Sequence, residues 1–152
     1  MPSLIAYLRA SSENTVHSLK LPDAPEGEQS GRELCTLPDG RTIVALFDGY
    51  TLPDDQPAEI ADSIETLTPT NELRERIIRA SPVLQRIYAD TEQKIRDVYS
   101  VSDEAKWARI GVGVALGAYT FGQGEQAELM AFGAHCEACR QWGRDERAKL
   151  GL

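Results

Sequence analysis

The hydrophobic pattern of this chain changes period once, near residue 68, and that change limits the folds open to it more than any other feature. Up to about residue 67 the apolar residues come in short β-compatible runs separated by turn-rich stretches. From 68 onward they recur every three to four residues, the spacing that lines one face of a helix. A chain that gathers strands in one half and helices in the other folds as α+β with segregated layers, and not as alternating βαβ units around a parallel sheet. The expected architecture is a small antiparallel β region over residues 1–67, followed by a helical region of about four helices over residues 68–152.

Within the first half, "SLIAYLRA" and "TVHSLKL" read as strands, the second alternating Val16, Ser18 and Lys20 against His17, Leu19 and Leu21. The proline, glycine and acid content of "LPDAPEGEQSG" is that of a solvated loop. "RELCTLPDGRTIVALF" sets Pro38-Asp39-Gly40 between two alternating apolar segments, with Asp39-Gly40 able to supply the positive-φ positions of a tight turn. A hairpin pairing 32–37 with 41–47 is expected. The turn-rich "DGYTLPDDQPAE" leads to one more expected strand, "EIADSIETL". Four or five short strands make a small sheet or sandwich that needs the helices or a partner for stability.

In the second half, "TPTNELRERIIRASP" places Leu73, Ile77 and Ile78 on one helical face, with Pro69 in the first turn and Ser81-Pro82 as the stop. The same pair opens the next helix, with Ser81 as its cap, and Leu84, Ile87, Tyr88, Thr91, Ile95 and Val98 form its stripe. A third helix is expected to begin after Ser102 as cap, with Asp103 and Glu104 in the first turn. Its continuation "GVGVALG" is read as a close-packing segment, where glycines and alanines let another backbone approach. The last helix runs from Glu125 to about Lys149, with Leu129, Phe132, Cys136, Cys139 and Gly143 on one stripe.

A length of 152 residues fits one domain or two small units, and 41% hydrophobic with 26% charged residues is the balance of a folded chain. The net charge of −8 sits in the first half: Pro22 to Glu65 holds eleven acids against Arg32 and Arg41, whereas 66–152 holds twelve of each sign. Binding to a phosphate backbone needs a basic face, so no nucleic-acid partner is expected. "MPSLIAYLRASSE" lacks a basic leader and a small-residue cleavage pattern, and the longest apolar stretch, Ile110 to Phe121, falls short of the roughly 20 residues of a membrane span. A soluble protein made in the cytoplasm, with no membrane partner, is expected.

The densest cluster of chemically versatile residues is His135, Cys136 and Cys139 in "GAHCEACRQWGRDERAKLGL". A structural zinc site draws four ligands, usually from two pairs, and only Cys35 and His17 remain to complete one. A zinc-stabilised binding module using Cys35, Cys136 and Cys139 is therefore an alternative that requires the β half to fold onto the last helix. Redox chemistry needs the Cys-x-x-Cys at a helix N-terminus, and this pair lies about three turns into a helix. The favoured reading makes Cys136 and Cys139 small core residues facing inward with Leu129 and Phe132, leaving Arg140, Arg144 and Arg147 wet. "GVGVALG" has neither the G-x-G-x-x-G spacing nor a following Gly-Lys-Ser/Thr, and no serine-histidine-acid triad is signalled. Asp54-Asp55 and Asp103-Glu104 fit turn and cap roles. No catalytic residue, cofactor or metal is expected. Trp142, beside Arg140, Arg144 and Arg147, has the composition of a partner-binding anchor.

"NELRERIIRASPVLQRIYADTEQKIRDVYSVSDEAKWARIG", ending in "CRQWGRDERAKLGL", resembles the C-terminal part of small proteins encoded among the tail and tail-fibre genes of tailed bacteriophages and prophages. The likeness lies in the Asn-Glu-Leu helix, the Ala-Ser-Pro break, the Ile-Arg-x-x-Tyr-Ser stretch and the Trp-Gly-Arg ending, and "LPDGRTIVALFDGYTLPDDQPAEI" is similar to the β segment before them. It spans residues 36–152, with "GVGVALGAYTFGQGE" standing where a charged segment is expected. The resemblance implies a non-enzymatic virion component of the tail or tail fibre, with other tail or fibre proteins as partners and a homo-oligomeric state. A tail-fibre assembly chaperone absent from the finished particle is the alternative.

Overall fold

A computed structural model of the chain describes every residue from Met1 to Leu152. In chain order the elements are β1 (Ser3–Leu8), β2 (Ala10–Ser12), β3 (Thr15–His17), β4 (Gly31–Thr36), β5 (Arg41–Leu46), α1 (Ala58–Ala61), β6 (Glu65–Leu67), α2 (Asn71–Ala80), α3 (Pro82–Arg96), α4 (Val101–Ala115) and α5 (Glu125–Ala148). An N-terminal antiparallel sheet followed by helices makes the class α+β. There are five helices, the additional one being the single turn α1.

The chain forms two compact units: Met1–Arg86 with Asp145–Leu152, and Ile87–Arg144. This division differs from the change of period at 67/68, because α2, the start of α3 and the end of α5 belong with the sheet.

In the first unit, a four-stranded antiparallel sheet runs β4-β5-β1-β6. β1 and β5 pair over their full lengths, and Leu4, Ile5, Ala6 and Tyr7 of the one and Thr42 to Leu46 of the other are all buried, which makes them the centre of the core. The β4–β5 hairpin closes where Gly40 donates to the Leu37 carbonyl (2.9 Å) and takes φ +89°. Gly40 alone supplies the left-handed position, while Asp39 accepts from the Arg41 amide at 3.1 Å and from the guanidinium groups of Arg41 (3.0 Å) and Arg76 (2.8 Å). Asp39 thereby ties the turn to α2, and these hydrogen bonds hold its carboxyl far below the usual carboxylate range.

A second hairpin, β2–β3, turns at Glu13 and Asn14, whose φ values of 47° and 66° match the two left-handed residues of a tight hairpin turn. The strand expected to continue through Leu21 stops at His17. Beyond it the Gln56 amide takes the part of a neighbouring strand: its Oε1 accepts from the Lys20 amide and its Nε2 donates to the Lys20 carbonyl, both at 2.9 Å. Leu19 and Leu21 still pack on the cluster of Tyr7, Val44 and Ile60. The strand expected over "EIADSIETL" is replaced by α1 and the three-residue β6. The amides of Ile60 and Ala61 both reach back to the Pro57 carbonyl (3.1 and 3.0 Å), which winds the segment into a turn that buries Ile60.

Helix boundaries follow side-chain caps. Thr70 Oγ1 accepts from the Leu73 amide at 3.2 Å, so Pro69 precedes the cap and is not in the first turn. Ser81 ends α2 and caps α3, its Oγ accepting from the Leu84 amide at 3.3 Å. The cap of α4 is Ser100, two residues before the expected Ser102, and forms a capping box with Asp103. The stripe on α3 ends at Ile95, since α3 stops at Arg96 and Val98 is 59% exposed. Tyr88, also expected on that stripe, is 40% exposed.

Candidate interaction surface

The Ile87–Arg144 unit has a narrow interior. Ile95, Cys136 and Cys139 form its buried cluster with Phe132 against them, and Trp107 is its only other buried large side chain. Tyr99 meets the Phe132 ring edge-on at 5.0 Å. Both cysteines of the Cys-x-x-Cys are thus inward-facing, and burial raises the Cys136 thiol pKa. Burial also pushes the Cys35 thiol, in β4, up to about 11.

His135 Nε2 is 3.1 Å from the Lys94 carbonyl and 3.5 Å from Cys139 Sγ. A carbonyl only accepts, so in this contact Nε2 is the donor, and as donor it is not free to ligate a metal. No group of three or more His, Cys, Asp and Glu side chains is placed to hold a metal ion.

One constellation had no signal in the sequence. Ser12 Oγ lies 2.7 Å from His17 Nε2, and His17 Nδ1 lies 3.7 Å from a Glu59 carboxylate oxygen. The order is that of a nucleophile, a base and an orienting acid, with the acid outside the roughly 2.6–3.2 Å of a formed hydrogen bond. At 3.7 Å the Glu59 carboxylate lies beyond hydrogen-bond distance of the ring. The contacts tie the β2–β3 hairpin to α1. Strand pairing and a helical turn bring the three together from distant positions, which spacing in the sequence does not show.

The terminal anchor residues all lie on α5. Trp142 is half-buried with Lys94 Nζ 4.6 Å above its ring, an intramolecular cation–π contact. Arg140 is exposed, and Arg144 is held by Gln141 (2.8 and 3.0 Å) and Glu137. Arg147, expected to be wet, is half-buried and belongs to the other compact unit.

A different surface of the same unit stands out. From Ile110 to Gly124 no residue is charged, and Val112, Leu116, Tyr119 and Met130 are 59%, 77%, 44% and 68% exposed. On α4 the exposed residues Val101, Ala105, Ala108, Val112 and Ala115 recur at alternating steps of four and three. On α5 Ala127, Ala131, Ala134 and Ala138 do the same. That is the spacing of a helix seam, here facing solvent.

The turn between α4 and α5 holds this face in place. Gly117 takes φ +72°, and the amides of Gly117 and Ala118 return to Val114 and Gly113 (3.0 and 2.8 Å), the doubly bonded helix ending that glycine permits. Glu125 then accepts from the Gly122 amide (2.7 Å) and the Tyr119 hydroxyl (2.8 Å). The "GVGVALG" glycines do not admit another backbone. A Cβ on Gly113 would lie 2.9 Å from Tyr119 Cβ and one on Gly111 3.7 Å from Leu129 Cδ2, so it is side chains that approach. The signal that could have found the face is the absence of charge over fifteen residues of a chain that is 26% charged.

Comparison with protein-family models, with curated proteins and with solved structures found no match to this chain. No helix is long and apolar enough to cross a membrane.

Proposed function

We propose that this chain is a bacteriophage tail-associated protein, a component of the tail or tail fibre that acts by protein contact and not by catalysis. The observation that carries the reading is the uncharged stretch Ile110–Gly124, in which Val112, Leu116 and Tyr119 are exposed. Contiguous exposed apolar surface rimmed by polar residues is the mark of a contact site. The resemblance of residues 36–152 to phage tail and tail-fibre proteins supplies the setting, with other tail or fibre proteins as partners and the virion tail as the place of action. Quantitative mass spectrometry of purified particles of the encoding phage tests it. Peptides of this chain at a fixed stoichiometry to the tail proteins are the expected result, and a chain abundant in the lysate but missing from the particle overturns it.

A further inference from the structure

We propose that Cys136 and Cys139 are a site of reversible oxidation, at which a hydroperoxide joins the two thiols in a disulfide within α5 and thereby loosens the Ile87–Arg144 unit. The contact function proposed above makes no use of these thiols.

The first ground is placement. The two residues lie one helical turn apart, and both are buried in one cluster with Ile95. Cα atoms three residues apart in an α-helix are separated by about 5 Å, inside the span of about 4.4–6.8 Å that a disulfide bridges. A Cys-x-x-Cys that turns over as a catalyst sits at a helix N-terminus. A pair deep in a helix can still be modified by an oxidant as small as hydrogen peroxide.

The second ground is the polar company of the sulfurs. His135 Nε2, the donor to the Lys94 carbonyl, also lies 3.5 Å from Cys139 Sγ, where its N–H can hold negative charge developing on that sulfur. Arg96 acts on Cys136 through its charge; its Nη2 pairs with Glu92 and Glu104, while its Nη1 is buried without a hydrogen-bond partner. Burial raises the Cys136 pKa, and the charges of Arg140 and Arg96 oppose that rise. A thiol that serves only as packing needs neither an imidazole nor a guanidinium, whereas one that reacts as a thiolate uses both.

The chemistry balances with the peroxide as oxidant. The Cys139 sulfur attacks one peroxide oxygen: an S–O bond forms, the O–O bond breaks, and the hydroxide released leaves as water with the thiol proton. The Cys136 sulfur then attacks Cys139 Sγ, forming the S–S bond and breaking the S–O bond, and a second water leaves with the Cys136 proton. The two sulfurs together lose two electrons and the peroxide gains them. Closing the bridge has a structural consequence. Cβ atoms three residues apart on a helix are about 5–6 Å apart, and a disulfide needs about 3.5–4.5 Å. The 136–139 turn therefore tightens toward the 3₁₀ form, in which such side chains eclipse. Tightening draws both sulfurs from their packing with Ile95 and Phe132, in a unit whose only other buried large side chain is Trp107. A bridge formed at the expense of packing is readily reduced again.

The test exposes the native full chain to excess hydrogen peroxide, removes the peroxide with catalase, then unfolds and alkylates the chain for peptide mass spectrometry. The tryptic peptide Ile110–Arg140 carries both cysteines and is expected to be unalkylated, lighter by two hydrogens and restored by dithiothreitol. In Cys136→Ser the reaction is expected to stop at a sulfenic acid on Cys139, trapped by dimedone, whereas in Cys139→Ser most of Cys136 is expected to stay a thiol. His135→Leu is expected to slow bridging roughly tenfold, through loss of one charge-assisted hydrogen bond. Trp107 and Trp142 both belong to the Ile87–Arg144 unit, so tryptophan fluorescence reads its unfolding. Its urea midpoint is expected to fall on oxidation and to return on reduction. Two free thiols after peroxide, a bridge between chains in place of one within the peptide, or a midpoint indifferent to oxidation overturns the inference. A Cys136 adduct formed as fast as that on Cys139, or wild-type bridging in His135→Leu, overturns the assignment of Cys139 as the attacking thiol.

Discussion

Gly143 sets how closely α3 and α5 approach within the helical unit. A Cβ there would lie 2.5 Å from Thr91 Oγ1 and 3.6 Å from both carbons of the same side chain. Thr91 cannot easily turn away, because its hydroxyl donates to the Ile87 carbonyl at 2.8 Å and its branched Cβ restricts rotation. Gly143→Ala gains about 1 kcal/mol of helix propensity, but overpacking costs about 1–3 kcal/mol. A net loss of stability is expected in urea denaturation, the reverse of what an exposed helical glycine shows. Thr91→Ala removes the obstructing oxygen, so the double variant should recover part of the loss. A double-mutant cycle with no coupling between the two sites would sink this account. The stripe position of Gly143 was legible from the period of α5. Its close partner was not, since Thr91 lies on another helix and helical spacing does not specify which neighbour a glycine admits.

The start of α4 is the element whose stability is most local and most testable. Ser100 Oγ accepts from the Asp103 amide at 3.1 Å, while the Asp103 carboxylate accepts from the Ser100 amide at 2.8 Å. Ser100→Ala is expected to cost about 1 kcal/mol, measured by thermal unfolding, whereas Ser102→Ala should have little effect. The hydrogen bonds from Ser100 lower the Asp103 pKa in the folded state. A carboxyl whose folded pKa lies below its unfolded one contributes stability above the unfolded value and loses it as pH falls through the folded one. Asp103→Asn should therefore flatten the acid limb of stability against pH, from the ordinary carboxylate range downward, with little change in slope near neutrality. An unchanged acid limb would refute the role. Ser100 and Ser102 both precede acids, and only the Ser-x-x-acid spacing separates them: Ser100 is three residues before Asp103 and Ser102 has Ala105 there. The Pro38-Asp39-Gly40 hairpin was legible because its signal is local. The α1 turn and the break after His17 were not, since the Pro57 carbonyl and the Gln56 amide that determine them act through backbone hydrogen bonds that no hydrophobic period records.

At the scale of the molecule, the unequal division of the core sets how the chain opens. Fifteen of the nineteen buried apolar side chains belong to the sheet-bearing unit, and the three cysteines sample both units: Cys35 lies in the first, Cys136 and Cys139 in the second. The exposed apolar stretch in that second unit escaped the sequence reading because its glycines drew attention to packing, and the spacing of Val112, Leu116 and Tyr119 does not say which of them a neighbouring helix covers. All three thiols are buried and should resist alkylation in the native chain. Local opening free energy follows buried apolar contacts, so rising urea is expected to expose Cys136 and Cys139 together, before Cys35. Peptide mass spectrometry after a brief alkylation pulse at each urea concentration reads the two midpoints. Coincident midpoints would mean that the chain unfolds as one cooperative body, and the small core of Ile95, Trp107, Cys136 and Cys139 would no longer explain its behaviour.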